Sequence, residues 1–68
     1  MTIRINLSQV MEENDKTLTA LADEVGITLA NLSILKTGKA KAVRFTTLDA
    51  ICRALNCQPG EILSFEDD

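Results

Sequence analysis

Two stretches of the sequence repeat one apolar spacing, and this spacing restricts the folds that the chain can adopt. On a helix of about 3.6 residues per turn, the first, fourth, fifth and eighth residues of each stretch share one face. The residues at these positions are Leu18, Leu21, Ala22 and Val25 in the earlier stretch, and Leu48, Ile51, Cys52 and Leu55 in the later one. The sequence therefore predicts two amphipathic helices.

Polar residues beside these stripes indicate where helices begin and end. Thr17 is placed to cap the earlier helix, and Thr46 followed by Asp49 has the spacing of a capping box for the later one. Between the two stripes, Gly26 can adopt the positive φ that closes a helix, and Thr28 can cap the next helix. The pattern predicts a helix, a tight turn and a second helix.

Shorter helices are expected before, between and after the two striped helices. Asn6 is a candidate cap for the first helix, Gly38 is expected to end the third, and Pro59 has the fixed φ that suits the first position of the last. The residues expected to face inward on these helices are Leu7, Val10, Met11, Leu32, Leu35, Ile62 and Leu63.

Both ends of the chain alternate polar and apolar residues at a period of two, which is typical of strands. The alternating segments are residues 2–5 and residues 63–66. We expect them to pair as an antiparallel ribbon, either inside one chain or between two subunits. The predicted fold class is all-α with five helices and a short ribbon formed by the N- and C-terminal strands.

The length of the chain limits it to one domain. With 68 residues and a mass of 7.4 kDa, it buries only about 60% of its unfolded surface, and no linker-like stretch divides it. We expect residues 1–68 to form a single domain. The sequence starts without the apolar run of a signal peptide, and no run approaches the roughly 20 residues of a membrane span. We therefore expect a cytoplasmic protein that does not contact membranes.

The residue types offer little for catalysis or metal binding. The chain has no His, Tyr or Trp, so it can form neither a Ser-His nor a Cys-His pair, and Cys52 and Cys57 cannot complete a four-ligand zinc site. We interpret both cysteines as reduced thiols in the core. The patterns S-x-x-K and K-T-G both occur, but they share Lys36, whereas in penicillin-binding enzymes they lie apart. We expect no enzymatic activity, no metal and no cofactor.

Charge is divided unevenly along the chain. All ten acidic residues lie outside residues 25–48, and the cations inside that segment are Lys36, Lys39, Lys41 and Arg44. The segment therefore carries +4, and the remainder, with three cations against ten acids, carries −7. A cationic segment of this kind favours contact with phosphates. The alternative is an ordinary solvated loop.

The stretch LADEVGITLANLSILKTGKAKAVRF, residues 21–45, resembles the helix-turn-helix of Cro/C1-type transcriptional regulators. Leu21 and Ala22 match the first motif helix, Gly26 and Ile27 the turn, and GKAKAVRF the basic loop after the recognition helix. The ending LDAICRALNCQPGEIL is similar to the last two helices of short, stand-alone bacterial members, including YozG-like ones. The resemblance implies a five-helix, lambda-repressor-like DNA-binding domain.

The resemblance also implies a binding mode. The recognition helix, at about residues 28–36, would lie in the major groove, and the basic loop 36–44 would lie on the phosphates. The residues that the resemblance assigns to DNA contact are Thr17, Thr28, Leu29, Ala30, Asn31, Ser33, Ile34, Lys36, Lys39, Lys41 and Arg44. Members of the family often have polar side chains at the groove-facing positions, where this chain has Leu29, Ala30 and Ile34. Hydrogen bonds to base edges should therefore be few.

Two functions remain open at this point. The first is a sequence-specific transcriptional regulator whose partner is double-stranded DNA, acting as a homodimer through residues 56–65 or the terminal ribbon, with no small-molecule ligand implied. The second is a protein-interaction module on the same fold, with weak or no DNA binding. Leu29 and Ile34 decide between them, since they could be core residues, groove contacts or a docking patch. Asn31 is either a DNA contact or a solvated polar residue.

Overall fold

The computed structural model describes residues 2–67 and consists of five helices and two short strands. In chain order the elements are β1 (Thr2–Ile5), α1 (Leu7–Glu13), α2 (Leu18–Val25), α3 (Leu29–Lys36), α4 (Phe45–Leu55), α5 (Pro59–Ile62) and β2 (Leu63–Glu66). This architecture confirms the expected all-α fold of five helices with a terminal ribbon.

The turn between α2 and α3 is built as the sequence predicts. The Oγ1 atoms of Thr17 and Thr28 accept the backbone N–H groups of Ala20 and Asn31, each at 3.1 Å, and so cap the two helices. Gly26 ends α2 with a φ of 81°, and its N–H donates to the carbonyl of Ala22 at 2.9 Å. The chain bends by 115° between the two helices, which is the geometry of a helix-turn-helix unit.

The predicted capping box of α4 is wrong. The helix begins at Phe45 with Arg44 in the N-cap position, and no side chain caps it. Thr46 therefore lies inside the first turn instead of in front of it. The carboxylate of Asp49 points along the helix and accepts from Nε of Arg53, four residues later, at 3.0 Å.

Asn6 has a different role from the one expected. It occupies the N-cap position of α1, but its side chain makes no capping hydrogen bond. Its Nδ2 instead donates to Oγ of Ser64 at 3.1 Å, so the side chain ties the start of α1 to β2.

The terminal strands pair antiparallel within one chain, which is the first of the two expected arrangements. Ile3 lies opposite Phe65, and Ile5 lies opposite Leu63. An ion pair of 3.0 Å between Arg4 Nε and Glu66 Oε2 lies on the other face of the ribbon. Leu63, which was expected to end the last helix facing inward, begins β2 and is only half-buried.

The core lies where the helices meet. The buried side chains are Leu7, Val10, Met11, Leu21, Ala22, Leu32, Leu35, Leu48, Ile51, Leu55 and Ile62. Cys52 and Cys57 are free thiols that pack against this core while remaining half-buried. Burial, with a smaller effect from the neighbouring Cys52, raises the pKa of the Cys57 thiol to about 11. Because so little of the Cys57 thiolate forms at neutral pH, packing accounts for Cys57 better than reactivity does.

Candidate nucleic-acid interface

Helix α3 has apolar side chains on two sides, and only one side faces the core. Leu32 and Leu35 are buried, whereas Leu29 and Ile34 are 49% and 47% exposed. The interpretation of Leu29 and Ile34 as core residues is therefore wrong. These two side chains lie on the surface, where they are free to contact another molecule.

The remaining positions assigned to DNA contact are also accessible. Around the start of α3, Thr28, Ala30 and Asn31 are exposed, as is Thr17 at the start of α2. Ser33 and Lys36, farther along α3, are half-buried. No position in the predicted set is closed off from a ligand.

The end of α3 and the loop after it enclose a groove of about 600 Å³. Five of the predicted contact residues line it, namely Asn31, Ile34, Lys39, Lys41 and Arg44. The others, Thr17, Thr28, Leu29, Ala30, Ser33 and Lys36, lie outside its lining. The groove thus brings residues of the recognition helix together with cations that are up to thirteen positions away in the sequence.

Backbone hydrogen bonds hold the start of this loop against α3. Gly38, with a φ of 79°, donates to the carbonyl of Leu35, and Lys39 donates to the carbonyl of Ile34, both at 3.1 Å. Oγ1 of Thr37 donates to the same Ile34 carbonyl at 3.2 Å. These bonds satisfy the last carbonyls of the helix and place Lys39 directly beside its end.

Some residues of the groove were not identified from the sequence. Ile27, Ala40, Val43 and Thr47 also line it, and the first three are half-buried and pack against the core. The signal that could have found them is the alternation of small or apolar residues with cations in residues 39–44. Such alternation places charges at the rim of a surface whose floor is apolar.

The four cations between positions 36 and 44 differ from the other cations of the chain. Arg4, Lys16 and Arg53 pair with Glu66, Glu24 and Asp49 at distances of 3.0, 2.8 and 3.0 Å. Within residues 2–67, none of the four cations between positions 36 and 44 has an acidic partner within 4.0 Å. Their charge is therefore available to an anionic ligand.

The described part of the chain contains neither a cluster of metal ligands nor a single helix that could span a membrane. No three His, Cys, Asp or Glu side chains among residues 2–67 are grouped so that they could hold a metal ion. Over the same residues, no single helix has the length and apolar character needed to cross a bilayer, and α2 with α3 reaches that length only as a pair bent by 115°.

Comparisons with known proteins agree with this arrangement. A family model described as a Cro/C1-type HTH DNA-binding domain matches residues 6–68. The chain is 54% identical over 68 residues to the "uncharacterized HTH-type transcriptional regulator YozG" of Bacillus subtilis (strain 168), an alignment that covers 100% of this chain and 81% of that relative. The family model spans all of the residues that form the five helices and the groove. The chain therefore belongs to the family of Cro/C1-type helix-turn-helix DNA-binding domains.

Proposed function

We propose that the chain is a sequence-specific transcriptional regulator that binds double-stranded DNA. Helix α3 lies in the major groove, and the loop at residues 36–44 lies along the phosphates. The observation that carries this proposal is a set of four cations beside an exposed recognition helix. None of them has an acidic partner within 4.0 Å among residues 2–67, whereas the other three cations of the chain are all paired. The name of the Bacillus subtilis relative, a transcriptional regulator, supports the same assignment.

Each part of the surface has a separate task in this binding mode. Thr17 and Thr28 stand at the starts of their helices, where free N–H groups and hydroxyls contact phosphates. Leu29, Ala30 and Ile34 contact thymine methyl groups, and Asn31 reaches an adenine edge or a phosphate. Apolar contacts discriminate less than bidentate hydrogen bonds do, so DNA shape contributes to the choice of site.

The active form that we propose is a homodimer of single-domain subunits, residues 1–68, in the cytoplasm. Two subunits double the number of DNA contacts and read two half-sites related by the same two-fold symmetry. The role requires no enzymatic activity, no metal, no cofactor and no small-molecule ligand. Single-domain behaviour predicts one cooperative unfolding transition, with coincident loss of helical circular dichroism and amide protection.

The second candidate function is a protein-interaction module, and the half-exposed Leu29 and Ile34 favour it. Exposed apolar side chains on one helix can dock another protein as readily as they contact bases. In that case Leu29→Asp removes binding of the protein partner. The four cations, however, have no task in such a contact unless the partner is acidic.

Salt dependence of DNA binding separates the two functions. A regulator with four phosphate contacts per subunit should bind mixed DNA fragments with a log-log salt slope of about −4, or about −7 as a dimer, since each contact contributes about −0.9. The docking module should bind no DNA even at low salt. Fluorescence anisotropy at several ionic strengths measures this slope.

Charge reversal with a matched control tests the groove itself. The variant Lys39→Glu/Lys41→Glu should lose DNA binding and keep its melting temperature. The variant Lys16→Glu/Arg53→Glu makes the same change in net charge, but at cations that pair with Glu24 and Asp49 outside the groove. It should retain most of the DNA affinity. Equal loss in both variants would mean that net charge, and not the groove, governs binding.

A further inference from the structure

The terminal ribbon leaves one apolar pair uncovered. At the end nearer the helices, Ile5 and Leu63 are half-buried and pack against the core. At the outer end, Ile3 and Phe65 lie opposite each other and are 62% and 59% exposed. A two-stranded ribbon is only marginally stable by itself and gains stability when further strands extend it. The exposed pair therefore marks a sheet that is open to extension.

Hydrogen-bond alternation identifies which backbone groups are free on this ribbon. The N–H of Asn6 donates to the carbonyl of Ile62 at 2.6 Å, one position beyond the paired strands. Hydrogen-bonded and non-hydrogen-bonded pairs alternate along an antiparallel ladder, so Arg4 and Ser64 form a bonded pair, and Ile3 and Phe65 do not. The N–H and C=O of Ile3 consequently point away from β2, towards the outer edge of β1.

The charges distinguish the two edges of the ribbon. Strand β2 ends at Glu66 and is followed by Asp67 and Asp68, so pairing β2 with a second β2 would bring two such acidic segments into neighbouring strands. Strand β1 carries one charged side chain, Arg4, which is already paired with Glu66 at 3.0 Å. Two β1 edges can therefore meet without like-charge repulsion, and the acidic strands then lie on the outside.

We propose that the outer edge of β1 pairs antiparallel with the β1 edge of a second copy of this chain, forming a four-stranded sheet in the order β2, β1, β1, β2. The register is centred on Ile3, so that Ile3 lies opposite Ile3 of the second copy and the two residues exchange hydrogen bonds. One face of the sheet then carries a continuous apolar row, Phe65, Ile3, Ile3 and Phe65. Arg4 faces Thr2 of the second copy.

This inference rests on the proposed function in one respect, because the four-stranded sheet supplies the interface of the proposed DNA-binding homodimer. The pairing buries less than the roughly 800 Å² per partner of a standard interface, so the free dimer is weak. DNA strengthens the dimer, because two subunits bound to adjacent half-sites have a high effective concentration with respect to each other.

The variant Ile3→Lys tests the interface by placing two ammonium groups at the centre of the new strand pair. Its control is Phe45→Lys, the same kind of change at a residue that is 87% exposed and lines a second, apolar groove of about 420 Å³ beside Cys52 and Pro59. Sedimentation equilibrium without DNA should show dimers at high concentration for the wild type and Phe45→Lys, and monomers for Ile3→Lys. Monomers at every wild-type concentration, or loss of the dimer in Phe45→Lys alone, would overturn the proposal.

Cross-linking tests the register. Residues in a hydrogen-bonded antiparallel pair have Cα atoms about 5.5 Å apart, within the roughly 4.4–6.8 Å that a disulfide spans. In a Cys52→Ser/Cys57→Ser background, Ile3→Cys should form a disulfide-linked dimer when treated with oxidised glutathione. Arg4→Cys should not, because its two copies lie diagonally. The reverse result would overturn the register.

Failure of this inference differs from failure of the proposed function. The sedimentation and cross-linking experiments contain no DNA. If the β1 interface is correct, Ile3→Lys should still bind mixed DNA fragments as a monomer, with a salt slope of about −4 per subunit. A DNA-binding protein that does not dimerise through β1 refutes only the interface, whereas a β1 dimer without DNA affinity refutes only the regulator.

Discussion

Helices α2 and α3 have the same length and the same kind of start, but their outer faces differ. Each has eight residues, each follows a threonine whose Oγ1 caps it at 3.1 Å, and each buries two side chains in the core. The outer face of α2 carries Asp23 and Glu24. The outer face of α3 carries Leu29, Asn31 and Ile34 and no acid.

This comparison separates the requirements of folding from those of binding. Capping and inward-facing residues are enough to make either helix, so the outer residues are free to vary with function. A packing helix can keep solvated acids, which repel DNA. A recognition helix excludes acids and exposes groups that can meet base edges. The following predictions test that division, beginning with the substitutions expected to lower the free energy of unfolding most.

The largest effect on stability should come from replacing a buried leucine, since each of the two helices has one that is fully buried. Leu21 on α2 and Leu32 on α3 are both fully buried. Leu21→Ala and Leu32→Ala should each lower the free energy of unfolding by about 2–5 kcal/mol, because each leaves a cavity. Urea denaturation followed by circular dichroism measures both. A cost below about 1 kcal/mol at Leu32 would mean that α3 is not part of the core as described.

The turn between the helices should be the next most sensitive position. Gly26 has a φ of 81°, and a Cβ there would meet no heavy atom within 4 Å, so the cost of Gly26→Ala is conformational. It should destabilise the chain by about 1–2 kcal/mol. Gly60→Ala is the control, since Gly60 has equal space and no positive φ. Equal melting temperatures for the two variants would contradict this account.

The caps should have smaller effects on stability and unequal effects on binding. Thr17→Ala and Thr28→Ala each remove one hydrogen bond of 3.1 Å and should cost about 1 kcal/mol of stability. Thr28 stands at the start of the recognition helix, so its loss should also weaken DNA binding more than loss of Thr17 does. Thermal denaturation and anisotropy titration at fixed salt provide the two readouts. If Thr17→Ala weakened DNA binding more than Thr28→Ala does, α2 and not α3 would be the helix that contacts the DNA more closely.

The smallest effect on stability should come from the outer face of α3. Leu29→Ser and Ile34→Ser remove half-exposed side chains and should change the free energy of unfolding by no more than about 0.5 kcal/mol. They should reduce the preference for selected DNA sites over random fragments, because thymine methyl contacts are lost. Competition binding measures that preference. An unchanged preference would assign these residues to a protein partner.

Much of the fold follows from local sequence. The caps at Thr17 and Thr28 and the left-handed Gly26 depend on bonds within one or two helical turns, so residue spacing alone indicates them. The same reasoning failed at α4, where Thr46 and Asp49 have the spacing of a capping box, yet the helix begins at Phe45. A capping pattern marks a helix start only when the backbone in front of it leaves helical geometry, and packing decides where that happens.

The candidate site was predicted less completely than the fold. Its cations were found because charge is visible in composition, and Asn31 and Ile34 were found through the family resemblance. Val43 and Ala40, which line the groove among the cations, were not. Their importance arises from the path of the loop back over α3, a feature that residue spacing does not encode.

The sequence by itself determined the helical periods, the turn and the separation of charge, because each depends on neighbours along the chain. Tertiary structure decided that Leu32 and Leu35 enter the core while Leu29 and Ile34 remain at the surface, although all four are aliphatic residues of one helix. It also decided that Arg44 and Asn31 line the same groove and that the terminal strands pair with each other. Which side chains are buried depends on which segments, distant in the sequence, pack against each other. The helices pack so that together they remove their apolar faces from water, and residue spacing along the chain does not specify this arrangement.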